Sequence, residues 1–301
     1  MCLYRVLFHP GPLAGFHRGG ILKGLGRVSK AGEAFWKGVR VVSKPILRIL
    51  TALVLLPPLL WLVLQGPRPL LFLVTLLCAG HAFREWWEMT GFPRGLFLFS
   101  TAALFGGFLL AEKSLAGGLW ILLFGPTLYF LRYFERETFL RNFGRDLSGL
   151  FLIFLGFYAL FKLSDFGRFF LLYLLAVVFS ADTGAYFGGR LWGHRPFFPA
   201  ISPRKTLEGY ICGVLAGTLG GGALALWKGL FPWREGLALS LALAVLSPAG
   251  DLLESMVKRA CGVKDSGRIL PGHGGLLDRV DALIFLAPAL WAYLELRGGG
   301  W

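Results

Sequence analysis

Long apolar segments separated by short polar stretches dominate the chain after residue 45. They lie at about 46–64, 69–83, 95–111, 114–131, 147–161, 168–188, 207–227, 236–250 and 281–296. A helix that crosses the hydrocarbon core of a bilayer needs about 20 mostly apolar residues. Because lipid hides such segments and water does not, the pattern predicts an all-α polytopic integral membrane protein with about nine transmembrane helices.

Composition agrees with this prediction, and the charge pattern orients the chain. Hydrophobic residues make up 55% of the sequence, charged residues only 16%, and the formal net charge is +14. A basic balance is typical either of nucleic-acid-binding proteins or of cytoplasmic loops beside a membrane. The apolar segments favour the second, so we expect no nucleic-acid partner. Most loop lysines and arginines lie on one side when the N-terminus is inside, which predicts an N-in, C-out topology in the cytoplasmic membrane.

Three regions follow from the pattern. Residues 1–45 are basic and glycine-rich, which predicts a disordered or surface-lying arm or indicates a start site set too far upstream. Residues 46–165 are expected to form N-terminal transmembrane helices, and residues 166–301 the C-terminal transmembrane catalytic region. Within the latter, one helix face carries glycines at every fourth position, at Gly209, Gly213, Gly217 and Gly221. Such a face predicts close helix packing and would also permit a homodimer.

Ionisable residues concentrate in the second half of the chain, at or near membrane level, where they are costly and usually functional. The first cluster surrounds Asp182, within residues 180–186, and the second spans residues 202–209. The third contains Asp251, Glu254 and Ser255, and the fourth extends from Lys258 to Asp281. The first half has few acids near its apolar segments: Glu85, Glu88 and Glu112.

These clusters are suited to phosphate chemistry. Asp278 and Asp281 are three residues apart, so a helix places both carboxylates on one face. Oxygen ligands beside lysines and arginines favour Mg²⁺ bridging a polyphosphate, and the chain has no cysteine or histidine set suited to zinc. Glycines around His273 would let backbone N–H groups approach an anion. The clusters therefore predict a phosphoryl- or nucleotidyl-transfer site at the cytoplasmic face.

Structural roles are the alternative for several of these residues. One interpretation makes Glu208 the ion-pair partner of Lys205, and Glu254 the partner of Lys258. His273 would then orient its loop without touching a substrate. These alternatives stay open at the level of the residues alone.

The fourth cluster also carries a long motif. Residues 255–281 follow the pattern S-x-x-K-R-x4-K-D-x-G-x3-P-G-H-G-G-x-x-D-R-x-D. This resembles the signature of the phosphatidate cytidylyltransferases, also called CDP-diacylglycerol synthases. Residues 202–209 resemble the family element S-P-K-K-T-x-E-G, with Arg204 in place of the first lysine, and residues 181–190 resemble a further family segment. The specific resemblance covers about residues 180–285.

The resemblance implies that CTP and phosphatidic acid react to give CDP-diacylglycerol and pyrophosphate, with essential Mg²⁺ and more than one metal ion. The metal ligands implied are Asp251 and Asp278, with Asp281 and Asp265 as further candidates. The expected catalytic side chains are Lys258, Arg259, Lys264, His273 and Arg279. The expected substrate contacts are Ser202, Arg204, Lys205, Thr206, Asp182, Gly274 and Gly275.

Two other functions remain as alternatives. One is a different CTP-dependent membrane lipid enzyme, either a polyprenol kinase or a cytidylyltransferase for another lipid. The other is a transporter for a phosphorylated solute, whose intramembrane acids would form an ion pathway. The sequence contains neither a Walker A string nor a G-x-G-x-x-G string, which argues against a P-loop or Rossmann site.

Overall fold

Helices make up most of the computed structural model, which describes residues 44–267, 269 and 274–298. Within these residues we number nine helices: α1 (Lys44–Gln65), α2 (Arg68–Thr90), α3 (Arg94–Ala111), α4 (Leu115–Arg132), α5 (Phe139–Phe166), α6 (Arg168–Trp192), α7 (Leu207–Lys228), α8 (Trp233–Ala260) and α9 (Leu277–Leu296). The predicted arm 1–45 lies almost entirely outside the described residues. The described residues from Leu47 onward form one compact unit.

Six of these helices, α3 to α8, are long and apolar enough to cross a bilayer. No β-strand lies in the described part of the chain, where Pro196 and Thr206 form an isolated bridge. The chain is therefore an all-α integral membrane protein, as its pattern predicts. The count of nine spans and the N-in orientation stay predictions.

Helix α9 lies at the centre of the packing, where it contacts α5, α6 and α8. Its apolar face is fully buried at Leu286 and Leu290. Beside α5, an aromatic cluster joins α3 to the bundle: the Phe108 ring meets Phe154 edge-on, with centroids 5.2 Å apart. The buried leucines hold α9 against its neighbours, and α9 carries Asp278 and Asp281 near its start.

The glycine face of α7 packs against α6. All four of its glycines are buried. A Cβ atom added to Gly213 would lie 2.8 Å from the carbonyl oxygen of Ala181, and one added to Gly209 would lie 2.8 Å from that of Ala185. The predicted close packing is confirmed, because a side chain at Gly209 or Gly213 would collide with the α6 backbone. As a result, Asp182 on α6 lies beside the start of α7.

Helix ends place the polar clusters. The side chain of Thr206 begins α7 by accepting a hydrogen bond from the Gly209 N–H at 3.2 Å. Helix α8 continues ten residues beyond the apolar segment 236–250, to Ala260, so Asp251, Glu254 and Lys258 lie on a helix. Helix α9 begins at Leu277, which puts Asp278 in its first turn.

Candidate active site

One cavity of about 730 Å³ is enclosed by α6, α7, α8, α9 and the loops that precede α7 and α9. All four polar clusters reach it, although they are far apart in sequence. The predicted site residues that line it are Asp182, Arg204, Lys205, Thr206, Asp251, Lys258, Asp265, Asp278, Arg279 and Asp281. The structure thus brings most of the predicted residues together in a single place.

Part of the cavity wall is apolar. Small and aliphatic side chains of α6, α7 and α8 form this part, together with three aromatic rings: Ala181, Ala185, Val214, Ala244, Pro248, Tyr186, Phe197 and Tyr210. The Phe197 and Tyr210 rings stack with centroids 4.7 Å apart. The cavity can therefore hold a molecule that is partly ionic and partly apolar.

A cation–carboxylate pair joins the start of α7 to α8 inside the cavity. Lys205 Nζ donates a hydrogen bond to Asp251 Oδ2. Ser255 Oγ donates a second, to Asp251 Oδ1, at 3.3 Å. The side chains of Lys205 and Asp251 are 30% and 38% exposed, so a ligand can reach both partners.

Glu208 does not pair with Lys205, so that alternative interpretation is wrong. Its Oε2 atom instead accepts hydrogen bonds from the backbone N–H groups of His194 and Arg195, each at 3.1 Å. The Phe197 N–H also donates to the Lys205 carbonyl oxygen at 2.7 Å. These bonds fold the loop between α6 and α7, which carries Lys205 to the cavity.

A second pair, more deeply placed, joins α8 to α9. Lys258 Nζ donates to Asp278 Oδ1 at 2.7 Å. Asp278 Oδ2 accepts from the backbone N–H groups of Ser266 and Gly275, both at 2.9 Å. The two side chains are only 12% and 9% exposed. With both oxygens engaged, the Asp278 carboxylate has a fixed orientation.

The same bonds keep Asp278 ionised. Asp278 precedes the apolar segment 281–296 and lies outside the six candidate membrane helices. Burial by itself raises the pKa of its carboxyl group. The hydrogen bonds from Lys258, Gly275 and Ser266 outweigh that effect and hold the pKa below its ordinary value.

Glu254 lies beside this pair on α8, one helical turn before Lys258. Its Oε2 is 3.1 Å from Lys258 Nζ, which confirms the alternative interpretation that makes Glu254 an ion-pair partner of Lys258. The contact is electrostatic and not a well-aligned hydrogen bond. Lys258 therefore balances two acids, Glu254 and Asp278, from a single position.

Other predicted residues do not line the cavity: Ser202, Arg259, Lys264, Gly274 and Gly275. Arg259 Nε instead donates to the Ile201 carbonyl oxygen at 3.5 Å. Gly274 has a φ of +85°, which a residue with a side chain rarely adopts. His273 lies outside the described residues. Roles for these residues in the reaction stay predictions.

The cavity also contains residues that we did not assign from the sequence. Arg190 and Tyr186 line it, and Arg190 Nη1 donates to the Tyr186 hydroxyl at 3.1 Å. The sequence does indicate both residues, because Tyr186 and Arg190 follow Asp182 at intervals of four residues and therefore share its helix face.

The acids of the cavity suit a divalent cation by charge and ligand type. The carboxylates of Asp182, Asp251 and Asp281 all line this cavity. Carboxylate oxygens are the ligands that Mg²⁺ prefers. Among the described residues, no group of three acid, histidine or cysteine side chains is arranged to coordinate a metal ion. Lys205 supplies the positive charge beside Asp251.

Comparison with known proteins agrees with this geometry. A protein named phosphatidate cytidylyltransferase from Brucella suis is 37% identical over 259 residues, covering 82% of this chain and 92% of the relative. Relatives of the same name from Helicobacter pylori and Bacillus subtilis are 46% identical over 140 residues and 42% identical over 136 residues. In those two the match spans about half of the relative, 52% and 51% of its length. The model of the cytidylyltransferase family matches residues 46–297, and the chain therefore belongs to the cytidylyltransferase family.

Proposed function

We propose that this chain is a phosphatidate cytidylyltransferase, which converts CTP and phosphatidic acid to CDP-diacylglycerol and pyrophosphate. One observation carries the proposal: a single cavity combines paired acids and cations with an apolar wall. A nucleoside triphosphate needs the paired acids and cations, and a lipid substrate needs these groups and the apolar wall as well. The names of the relatives from Brucella, Helicobacter and Bacillus support the same reaction.

The reaction needs no deprotonated side chain to begin. A phosphate oxygen of phosphatidic acid is already anionic and attacks the α-phosphorus of CTP. A new P–O bond forms there, and the bond from the α-phosphorus to the oxygen that bridges to the β-phosphorus breaks. Pyrophosphate leaves with that electron pair. The barrier lies in bringing two anions together and in stabilising the leaving group.

The cations that line the cavity can meet both requirements. Arg204 and Lys205 face the cavity from the loop before α7, and Arg279 faces it from α9. Lys258 on α8 also lines the cavity and binds Asp278. Fixed cations hold phosphate oxygens through charge-assisted hydrogen bonds. Asp251 holds Lys205 in place before substrate binds, and Asp278 holds Lys258. We assign these four cations to the triphosphate and the lipid phosphate.

Mg²⁺ is the cofactor that we propose. It would be held by Asp251 and Asp281, with Asp278 and Asp265 as further candidates, and more than one ion is expected. When bound, it would neutralise charge on the phosphate oxygens. Since Asp278 is fully hydrogen-bonded to protein groups, its first task is to orient Lys258.

We also propose a location in the inner membrane with the cavity facing the cytoplasm, where CTP is found. The excess of basic residues in the loops on that side supports this orientation. A homodimer stays a prediction. The glycine face of α7 does not support it, because α6 already covers that face within the chain.

Labelled CTP tests the proposed reaction against its nearest rival. Purified protein in detergent, supplied with phosphatidic acid and Mg²⁺, is expected to move label from the α-phosphate of CTP into lipid. Label from the γ-phosphate should remain in pyrophosphate. The measurement is the lipid-extractable radioactivity from each labelled CTP.

The two labels separate the alternatives cleanly. Label that enters lipid only from the γ-phosphate would make the chain a CTP-dependent lipid kinase and contradict the proposal. Replacing phosphatidic acid with a polyprenol or a polyprenyl phosphate is the matched control and should give no labelled lipid. Transfer to either of these at a higher rate than to phosphatidic acid would also reject the assignment.

A further inference from the structure

A buried acid of the N-terminal half reaches the loop that precedes α9. Glu85 on α2 is 2% exposed. Its Oε1 accepts a hydrogen bond from the Leu276 N–H, and its Oε2 one from the Leu277 N–H, both at 2.9 Å. Ser266 Oγ donates to Oε2 at 3.2 Å. These contacts cross about 180 to 190 residues of sequence, and none of these four residues lines the cavity.

The loop is shaped to admit this carboxylate. A Cβ atom added to Gly275 would lie 2.7 Å from Glu85 Oε2, and one added to Gly267 would lie 2.8 Å from Glu85 Cδ. Side chains at either position would push the carboxylate away from the loop. His81 Nε2 approaches from the other side, 3.2 Å from Oε1. The carboxylate is thus enclosed by donors and by two glycines.

The position of Glu85 also has an electrostatic reason. The first N–H groups of a helix have no partner within the helix, and the backbone dipoles make that end positive. Glu85 supplies a negative charge and two acceptor oxygens at the start of α9. A capping side chain normally comes from a residue just before the helix. Here it comes from a different helix, so α2 fixes where α9 begins.

We propose that Glu85 is a positioning residue for the nucleotidyl transfer, an inference that rests on the function proposed above. Glu85 holds Ser266 and the start of α9, and the backbone N–H groups of Ser266 and Gly275 in turn hold Asp278 Oδ2. Asp278 then orients Lys258 at the cavity. Glu85 touches no substrate. It acts through Asp278. The N-terminal half of the chain therefore helps to position the active site.

The test replaces Glu85 with glutamine, which has the same shape but turns an N–H₂ group toward N–H donors. Glu88→Gln is the matched control, because Glu88 lies one turn further along α2, is 47% exposed and pairs with Arg84. We expect Glu85→Gln to lower kcat for CDP-diacylglycerol formation by about 10- to 100-fold, the usual cost of losing a group that orients a ligand. Glu88→Gln should match the unmodified protein. Rates are expressed per folded molecule, after size-exclusion chromatography.

A double-mutant cycle with Ser266→Ala distinguishes positioning from general stability. If Glu85 acts through the loop, the double variant should lose less kcat than the product of the two single losses. Wild-type kcat per folded molecule in Glu85→Gln, or independent losses in the cycle, would overturn the inference. If Glu85→Gln does not fold, Glu85→Asp, which keeps both acceptor oxygens but sets them back by one methylene, replaces it in the cycle. If the unmodified protein and Glu88→Gln both make no CDP-diacylglycerol, the proposed function fails instead.

Discussion

Replacing Asp278 with asparagine is expected to lower CTP incorporation into lipid by about 1000-fold or more. The substitution removes the charge that pairs with Lys258 Nζ at 2.7 Å. It also turns an amide group toward either Lys258 or the backbone N–H groups of Ser266 and Gly275, so one of these donors loses its acceptor. A charge contribution of several kcal/mol to the transition state corresponds to about this loss in rate. The measurement is kcat for lipid labelling with CTP.

Asp165→Asn is the matched control for this prediction. Asp165 pairs with Arg68 at 3.0 Å, at the end of α5, and does not line the cavity. It should leave kcat close to that of the unmodified protein. Both variants should insert into membranes in similar amounts. Turnover near the unmodified level in Asp278→Asn would reject the site.

Replacing Asp251 with asparagine is the second large effect, an expected loss of about 100- to 1000-fold in kcat/KM for CTP. Asp251 accepts from Lys205 in the accessible part of the cavity. Without its charge, Lys205 is no longer held in place, and the cavity loses one of the acids that we propose to hold Mg²⁺. The concentration of Mg²⁺ needed for half-maximal rate should rise as well.

Ser255→Ala separates the charge of Asp251 from its orientation. This control removes only the 3.3 Å hydrogen bond to Asp251 Oδ1 and leaves the ion pair with Lys205. A loss of less than about 10-fold is expected, since an ordinary hydrogen bond contributes about 1 kcal/mol. Equal losses in Ser255→Ala and Asp251→Asn would show that orientation matters and the charge does not, contrary to the proposed role.

The fold was largely predictable because lipid imposes a simple rule on the chain. A segment that crosses a bilayer must satisfy its own backbone hydrogen bonds and present apolar side chains, so long apolar segments indicate helices. Helix ends were less predictable. The segment predicted at 147–161 belongs to a helix of 28 residues, and α8 continues past Gly250 to Ala260. Polar residues can extend a helix where they face a cavity, which an apolar pattern does not reveal.

The site was predictable where its chemistry is carried by one continuous motif. Asp278 and Lys258 were assigned from residues 255–281, and they bind each other in the structure. The partner of Lys205 was not predictable from spacing, because Asp251 is 46 residues away and the nearer acid, Glu208, binds backbone groups. Glu85 was harder still. Glu85 is one of two acids near the end of an apolar helix, and it looks like a surface residue, as Glu88 is, until the helix that it caps is known.

Pyrophosphate release tests the central claim most directly. Purified protein in detergent is mixed with CTP and Mg²⁺, and free pyrophosphate is followed before and after phosphatidic acid is added. Acids and cations gathered in one cavity predict that release begins only when lipid and metal are both present, and that it matches the CDP-diacylglycerol formed one for one. Release that ignores phosphatidic acid, or that proceeds equally well after chelation of all divalent cations, would contradict the account.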